Sequence, residues 1–82
     1  MTDQTIAPVQ SQMARAALGW NVQEAGKRAG VGANTVSRFE TGRDAREASK
    51  RALRAAYEAA GIIFIAENGE GPGVRLRKAS AE

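Results

Sequence analysis

Residues 22–41, VQEAGKRAGVGANTVSRFET, decide the fold that this sequence predicts. Their apolar and small residues recur at the spacing of two short helices that cross at a tight turn. The positions that two such helices must bury all carry apolar side chains, namely Ala25, Ala29, Val31, Val36 and Phe39. Gly26 is small enough for the second helix to cross closely, and Gly30 tolerates a left-handed turn conformation. The segment therefore predicts two crossed helices.

The second of these helices, at about residues 33–41, has a small, polar and basic face opposite Val36 and Phe39. At helical spacing this face contains Ala33, Asn34, Ser37, Arg38 and Thr41. In the major groove of DNA, Arg pairs bidentately with guanine, Asn pairs bidentately with adenine, and Ser adapts to donors or acceptors. An ordinary solvated helix face has a similar composition, so this helix alone leaves both interpretations open.

The positive charge of the chain is concentrated around the same segment. The 82 residues have a net charge of +3 and a pI near 10.0. Residues 15–54 contain nine Lys and Arg against four Asp and Glu, which gives +5, whereas residues 1–14 and 55–82 each sum to −1. This distribution favours a partner that carries phosphates.

From about Met13 to Gly61 the sequence resembles the lambda-repressor-like, Cro-type (xenobiotic-response-element) helix-turn-helix regulators. The likeness is carried by MARAALGW before the two crossed helices, AGV at the turn, NTVSRFETGR in the second helix, and ALRAAYEAAG after it. The resemblance implies a mainly α fold, a lambda-repressor-like helix-turn-helix domain of four helices that binds double-stranded DNA.

The resemblance also implies roles for single residues. It places Val36 and Phe39 in the core and pairs Arg15 with Glu40 in a buried ion pair. It places three side chains at base edges: Asn34, Ser37 and Arg38. We expect contacts to the DNA backbone from Gln23, Lys27, Gly32, Ala33, Thr35, Arg43 and Arg46.

Helices are predicted on both sides of the crossed pair. The first spans about Pro8 to Leu18, and its expected inward stripe is Val9, Met13, Ala17 and Ala16. Trp20 is expected to pack between helices. Asn21 with Glu24 predicts a capping box at the start of the first crossed helix, at about Val22. Asp44 with Glu47 predicts another box, which starts a fourth helix that runs to about Ala60. The residues expected to face inward on this helix are Ala48, Ala52, Leu53, Ala56, Tyr57 and Ala60.

After Gly61, the runs IIFIA and VRLRK on either side of NGEGPG predict a C-terminal β-hairpin or two strands separated by a loop. Ile62, Ile63, Phe64 and Ile65 point alternately to opposite faces of a strand, so both faces are apolar. We expect these four residues to form a homodimer interface, by strand pairing or by packing on the fourth helix of the partner. The alternative is a hairpin that folds only onto its own helix.

Composition excludes several classes of site and of protein. The chain has no cysteine and no histidine, which removes disulfides, thiolate metal ligands and the usual general base. Pairs such as Glu40 with Asp44 lie beside arginines, so we expect no catalysis, no metal and no cofactor. No apolar run is long enough to span a membrane, and the N-terminus lacks the layout of a signal peptide. We therefore expect a cytoplasmic protein with no membrane partner and no small-molecule ligand.

The expected organisation is a flexible arm at residues 1–7, the DNA-binding domain at 8–61, the dimerisation strand or hairpin at 62–78 and a tail at 79–82. The predicted function is that of a sequence-specific regulator of transcription, a small homodimeric repressor or autoregulator. The family often has Gln and Leu where this chain has Val22 and Ala25. These departures leave open a second hypothesis, a protein-interaction module such as an antiactivator or antitoxin-like accessory protein on the same scaffold.

Overall fold

The computed structural model of the chain describes residues 6–66 and 69–77. Four helices precede a β-hairpin, which confirms the predicted fold class. The elements are α1 (Pro8–Leu18), α2 (Val22–Ala29), α3 (Ala33–Glu40), α4 (Glu47–Ala59), β1 (Ile62–Ile65) and β2 (Gly73–Leu76). Most of the predicted arm and the whole predicted tail, residues 1–5 and 79–82, lie outside the described residues. No helix in the described part is long and apolar enough to cross a membrane.

The core lies where all four helices and β1 meet. Tyr57 and Leu53 of α4 are its largest fully buried side chains, and Trp20 packs against Tyr57 with ring centroids 5.8 Å apart. The other buried apolar residues are Ile6, Ala14, Ala25, Val36, Phe39 and Ile62. Helix α2 packs against both α3 and α4, whereas α3 packs against α2 and α1, and Trp20 has the packing role that was expected of it.

The inward stripe predicted for α1 is wrong. Val9 is 42% exposed, Ala16 and Ala17 are also exposed, and Met13 is only half-buried. The helix instead buries Gln10, Ser11 and Ala14, with Leu18 packed against the core. Two of these residues are polar, and they are buried because each has hydrogen-bond partners inside the fold.

The predicted start of α4 is wrong in its detail. The N-cap is Arg46, no side chain caps the helix, and Asp44 is exposed in the loop before it. Ala48 is exposed as well, while Leu53 and Tyr57 are buried as predicted. The spacing of Asp44 and Glu47 fits a capping box, but the chain enters the helix two residues later than that box requires.

The hairpin is antiparallel, with Ile62 opposite Leu76 and Ile65 opposite Gly73. It packs onto α1 and α4 of its own chain. The buried Gln10 side chain fixes it there, since Gln10 Nε2 donates to the carbonyl oxygens of Ile65 at 3.0 Å and of Gly73 at 2.9 Å. The same amide accepts from Ala7 N at 2.8 Å, so one side chain joins the start of α1 to both strands.

Candidate nucleic-acid interface

The crossing of α2 and α3 depends on the absence of a side chain at Gly26. A Cβ atom placed there would lie 2.6 Å from the carbonyl oxygen of Val31 and 3.2 Å from the backbone nitrogen of Ala33. These are backbone atoms, so they cannot move aside as a flexible side chain could. Gly30 closes α2 with φ of +76°, in the left-handed conformation expected at this position. The two glycines together set the direction in which α3 leaves the turn.

Helix α3 is held from its inner side. Val36 is fully buried and Phe39 is 3% exposed, and both belong to the core. The outer side of the same helix carries Asn34, Ser37 and Arg38, which are all exposed. The structure thus brings the three residues predicted to contact bases onto one solvent-facing surface, which we call the α3 face.

The C-terminal end of α3 is closed by hydrogen bonds that order the loop after it. Arg43 N donates to Arg38 O at 2.9 Å and Gly42 N donates to Phe39 O at 3.1 Å, with Gly42 at φ +86°. This is the Schellman arrangement of a helix end. Arg43 therefore begins its loop at a fixed place beside the α3 face, with its side chain exposed.

The residues predicted to contact the DNA backbone differ in their exposure. Five of them are exposed: Gln23, Lys27, Gly32, Arg43 and Arg46. Ala33 and Thr35 are half-buried on α3 itself. Between α3 and the start of α4 lies an open polar depression of about 290 Å³. It is lined by Thr35, Arg38, Asp44, Ala45, Arg46 and Ser49, so its chemistry is mainly that of guanidinium and hydroxyl groups with one carboxylate.

A buried polar network ties α3 to α1 and α4. Arg15 Nη2 donates to Glu40 Oε1 at 2.6 Å and Arg15 Nε donates to Glu40 Oε2 at 2.8 Å, so the two side chains paired in the sequence analysis meet in a bidentate contact. Ser11 Oγ also donates to Glu40 Oε2, at 2.5 Å, and lies 2.7 Å from the Tyr57 hydroxyl. No buried polar side-chain atom of the described residues lacks a partner. The network fixes the end of α3 against the core.

Sequence analysis missed Ser11, Gln10 and the polar role of Tyr57. The available signal was position: Gln10, Ser11, Ala14 and Leu18 recur at helical spacing on one side of α1. Because Gln10 and Ser11 are polar, the prediction of an apolar inward stripe for α1 named Val9 and Met13 instead. Only the placement of Glu40 and of the two hairpin carbonyl groups shows why polar atoms are buried here.

The environment of the network shifts two pKa values. The hydrogen bond to Glu40 raises the pKa of Arg15 above its ordinary value, so this side chain stays protonated. Burial raises the pKa of Tyr57 above its ordinary value, and the nearby Glu40 carboxylate acts in the same direction, while the hydrogen bond with Ser11 opposes them. Both groups therefore hold their protons throughout the neutral range.

At the start of α2, Asn21 Oδ1 accepts from Glu24 N at 2.8 Å, so Asn21 is the N-cap as predicted, but the Glu24 side chain does not complete the predicted capping box. The Glu24 carboxylate accepts from Arg28 Nε at 2.6 Å, four residues along the helix. The Arg28 guanidinium also lies 4.9 Å from the centroid of the Trp20 ring. Trp20 thus contacts both Arg28 and Tyr57, which is the packing between helices that was expected of it.

Among the described residues, no group of His, Cys, Asp and Glu side chains is arranged to hold a metal ion. Comparison with known proteins adds a family assignment to this geometry. Residues 12–62 match a family model described as a helix-turn-helix domain, and they make up more than half of the chain. A search of curated proteins gave no match.

Proposed function

The chain belongs to the helix-turn-helix domain family, and on that premise we propose that it is a sequence-specific regulator that binds duplex DNA as a homodimer, with α3 in the major groove. The family points to a DNA-binding regulator. The proposal adds sequence specificity, the residues that produce it, a repressor or autoregulator role, and the dimer.

The observation that carries the proposal is the two-sided character of α3. Val36 and Phe39 anchor its inner side, and the Glu40 network fixes its C-terminal end. Asn34, Ser37 and Arg38 project outward from a helix that cannot easily rotate. A rigid helix with donors and acceptors on its free side is what recognition of base edges in the major groove requires.

The proposed contacts fall into two classes. Asn34, Ser37 and Arg38 contact base edges and supply specificity. The contacts to phosphates come from residues around the α3 face, and they set the register of the protein on the duplex. These residues are Gln23, Lys27, Gly32, Ala33, Thr35, Arg43 and Arg46.

The hairpin supplies the proposed dimer contact. Ile62 is 1% exposed inside the core of its own chain, so it cannot also face a partner, while Ile63 is 36% exposed and Leu76 is 50% exposed. Among the described residues, β1 pairs only with β2. Arg75 and Arg77 on or beside β2 protect that edge from pairing, whereas β1 has no charged residue. We therefore propose that the interface consists of the free edge of β1 with the side chains of Ile63 and half-buried Ile65, while Phe64 packs against Tyr57 of its own chain.

The test begins with selection of a binding site from a random duplex library by the full-length chain. Affinity for the selected site and for a scrambled duplex is then measured over a range of salt concentrations. A phosphate-binding regulator loses affinity steeply as salt rises, and it prefers its selected site. If no site is enriched and no salt-dependent duplex binding is seen, the regulator proposal is wrong, and the interaction-module hypothesis takes its place.

Two variants test the division of contacts. Arg38→Ala should lose about 1–3 kcal/mol on the selected site and relax the preference at one base pair. Arg43→Ala should weaken binding to the selected and the scrambled duplex by the same factor, and it should make the salt dependence of binding shallower. Equal losses on both duplexes for both variants would contradict this assignment.

A further inference from the structure

Asp44 is an acidic residue in the loop between α3 and α4, beside the α3 face. Four other carboxylates in the described part form ion pairs: Glu24 with Arg28, Glu40 with Arg15, Glu47 with Lys50, and Glu58 with Arg54. The Asp44 side chain is exposed and makes no hydrogen bond or ion pair with any described residue. It does not cap α4 either, since the cap is Arg46. Neither stability nor helix capping explains this carboxylate.

The position of Asp44 makes it relevant to DNA binding. It lines the depression between α3 and α4 together with Arg38 and Arg46, and Thr35 and Ser49 add hydroxyl groups. If α3 occupies the major groove, this depression faces the duplex at the side of the helix. The two guanidinium groups there make the depression attractive to a duplex, and the carboxylate that lines the same depression opposes that attraction.

A carboxylate beside DNA has different energies in different registers. Opposite a phosphate it is repelled, and at a separation of about 7 Å the repulsion between two unit charges is roughly 0.6 kcal/mol in water and larger near a protein surface. Beside a base edge it can accept a hydrogen bond from an amino group, as aspartate does from N4 of cytosine. The same residue therefore weakens binding in registers that place it opposite a phosphate more than binding in a register that places it beside a base amino group.

We infer that Asp44 is a specificity-determining residue that lowers affinity for non-cognate duplex more than affinity for the cognate site. This inference rests on the proposed function and deepens it, because it assigns discrimination to a residue that repels most DNA. Arg46 supplies attraction to phosphates that most sequences can use, and Arg38 contacts a base edge. Asp44 restricts that attraction to duplexes that place a base amino group beside it.

The test compares Asp44→Asn with Glu58→Gln in the full-length chain. Both variants lose one negative charge, but Glu58 lies at the far end of α4, where it pairs with Arg54. Affinities for the selected site and for a scrambled duplex are measured by fluorescence anisotropy at low and high salt. Melting temperatures of both variants are recorded, and Asp44→Asn should melt like the parent because its side chain has no partner to lose.

We expect Asp44→Asn to bind the scrambled duplex about three to ten times more tightly and the selected site less than about twice as tightly. The preference for the selected site should then fall by roughly 1.5- to 10-fold, and the effect should shrink at high salt. Glu58→Gln should keep the parental preference.

Other results contradict the inference in distinct ways. If Asp44→Asn and Glu58→Gln raise both affinities by the same factor, Asp44 acts only through net charge, and the inference is overturned. If Asp44→Asn leaves affinity for the scrambled duplex unchanged, it is likewise overturned. If the parent chain itself shows no preference for any duplex, the proposed function fails, and the inference fails with it.

Discussion

At the scale of single residues, the Glu40 carboxylate has the most demanding environment in the fold. It is 5% exposed in its side chain, and it accepts hydrogen bonds from Arg15 and Ser11. A buried carboxylate is tolerated only while its charge is paired. The Arg15 side chain is 23% exposed, so the free-energy cost of removing the pair from water is smaller than for a fully buried pair.

The first prediction follows from that pairing. Arg15→Ala should lower the free energy of unfolding by about 3 kcal/mol, because it leaves a buried charge held by Ser11 alone. Adding Glu40→Gln should recover part of the loss, since it removes the unpaired charge. Chemical denaturation measures both variants, and Glu24→Gln, which opens an exposed ion pair, serves as a control that should lose much less stability. An unchanged stability for Arg15→Ala would refute the role of the pair.

Tyr57 gives a second prediction at this scale, because it is the only tyrosine of the chain. Burial, the largest influence, raises its pKa in the folded state. The folded state therefore favours the protonated phenol, and this contribution to stability is complete below about pH 10 and is lost as the pH rises through the folded pKa. Tyrosinate absorbance should appear at higher pH in the native chain than in the denatured chain. Coincident titrations in the two states would contradict this environment.

At the scale of elements, the crossing of α2 over α3 is the feature on which the α3 face depends. Gly26→Ala would gain helix propensity of about 1 kcal/mol, but its Cβ would lie 2.6 Å from Val31 O. The strain should outweigh the gain and destabilise the chain by about 1–3 kcal/mol. Gly32→Ala is the matched control, since its Cβ would meet nothing closer than Thr35 Oγ1 at 4.0 Å. Thermal unfolding distinguishes them, and equal melting temperatures would show that the crossing is looser than the structure indicates.

The elements also show how much of the fold could be predicted from the sequence. Local patterns predicted α2, α3 and the caps at Asn21 and Gly30, because glycine positions and apolar spacing act within a few residues. The inward side of α1 was mispredicted, because Gln10 and Ser11 are buried by partners in the distant hairpin and in α3. The same limit applies to the site. The polar face of α3 could be predicted from the helical spacing of its residues. That Asp44 does not cap α4 could not be predicted, because it depends on the residue at which α4 begins.

At the scale of the whole molecule, the hairpin has a role in the core and a proposed role in the dimer, which involve opposite faces of β1. Ile62 and Phe64 face the core, where Phe64 lies 6.2 Å from Tyr57 between ring centroids. Deleting the segment from Ile62 onward would therefore remove core residues and unfold the chain, so truncation cannot isolate the dimer contact. Ile63 points to the other face of the strand, opposite Arg75. It can be changed without removing any core contact.

The last prediction uses that separation. Ile63→Glu should keep the folded monomer, because a glutamate opposite Arg75 forms a favourable cross-strand pair. It should abolish the dimer, because two β1 edges would then bring like charges together at a site that excludes water. In the proposed dimer the two α3 helices would lie about 34–36 Å apart, the spacing of successive major grooves, so the monomeric variant should lose its preference for a two-half-site operator over a single half-site. Analytical ultracentrifugation and binding to both duplexes measure these effects, with Ala17→Glu as the control because Ala17 is exposed on α1. A parent chain that is monomeric at tens of micromolar, or an Ile63→Glu variant that remains dimeric, would show that the interface lies elsewhere.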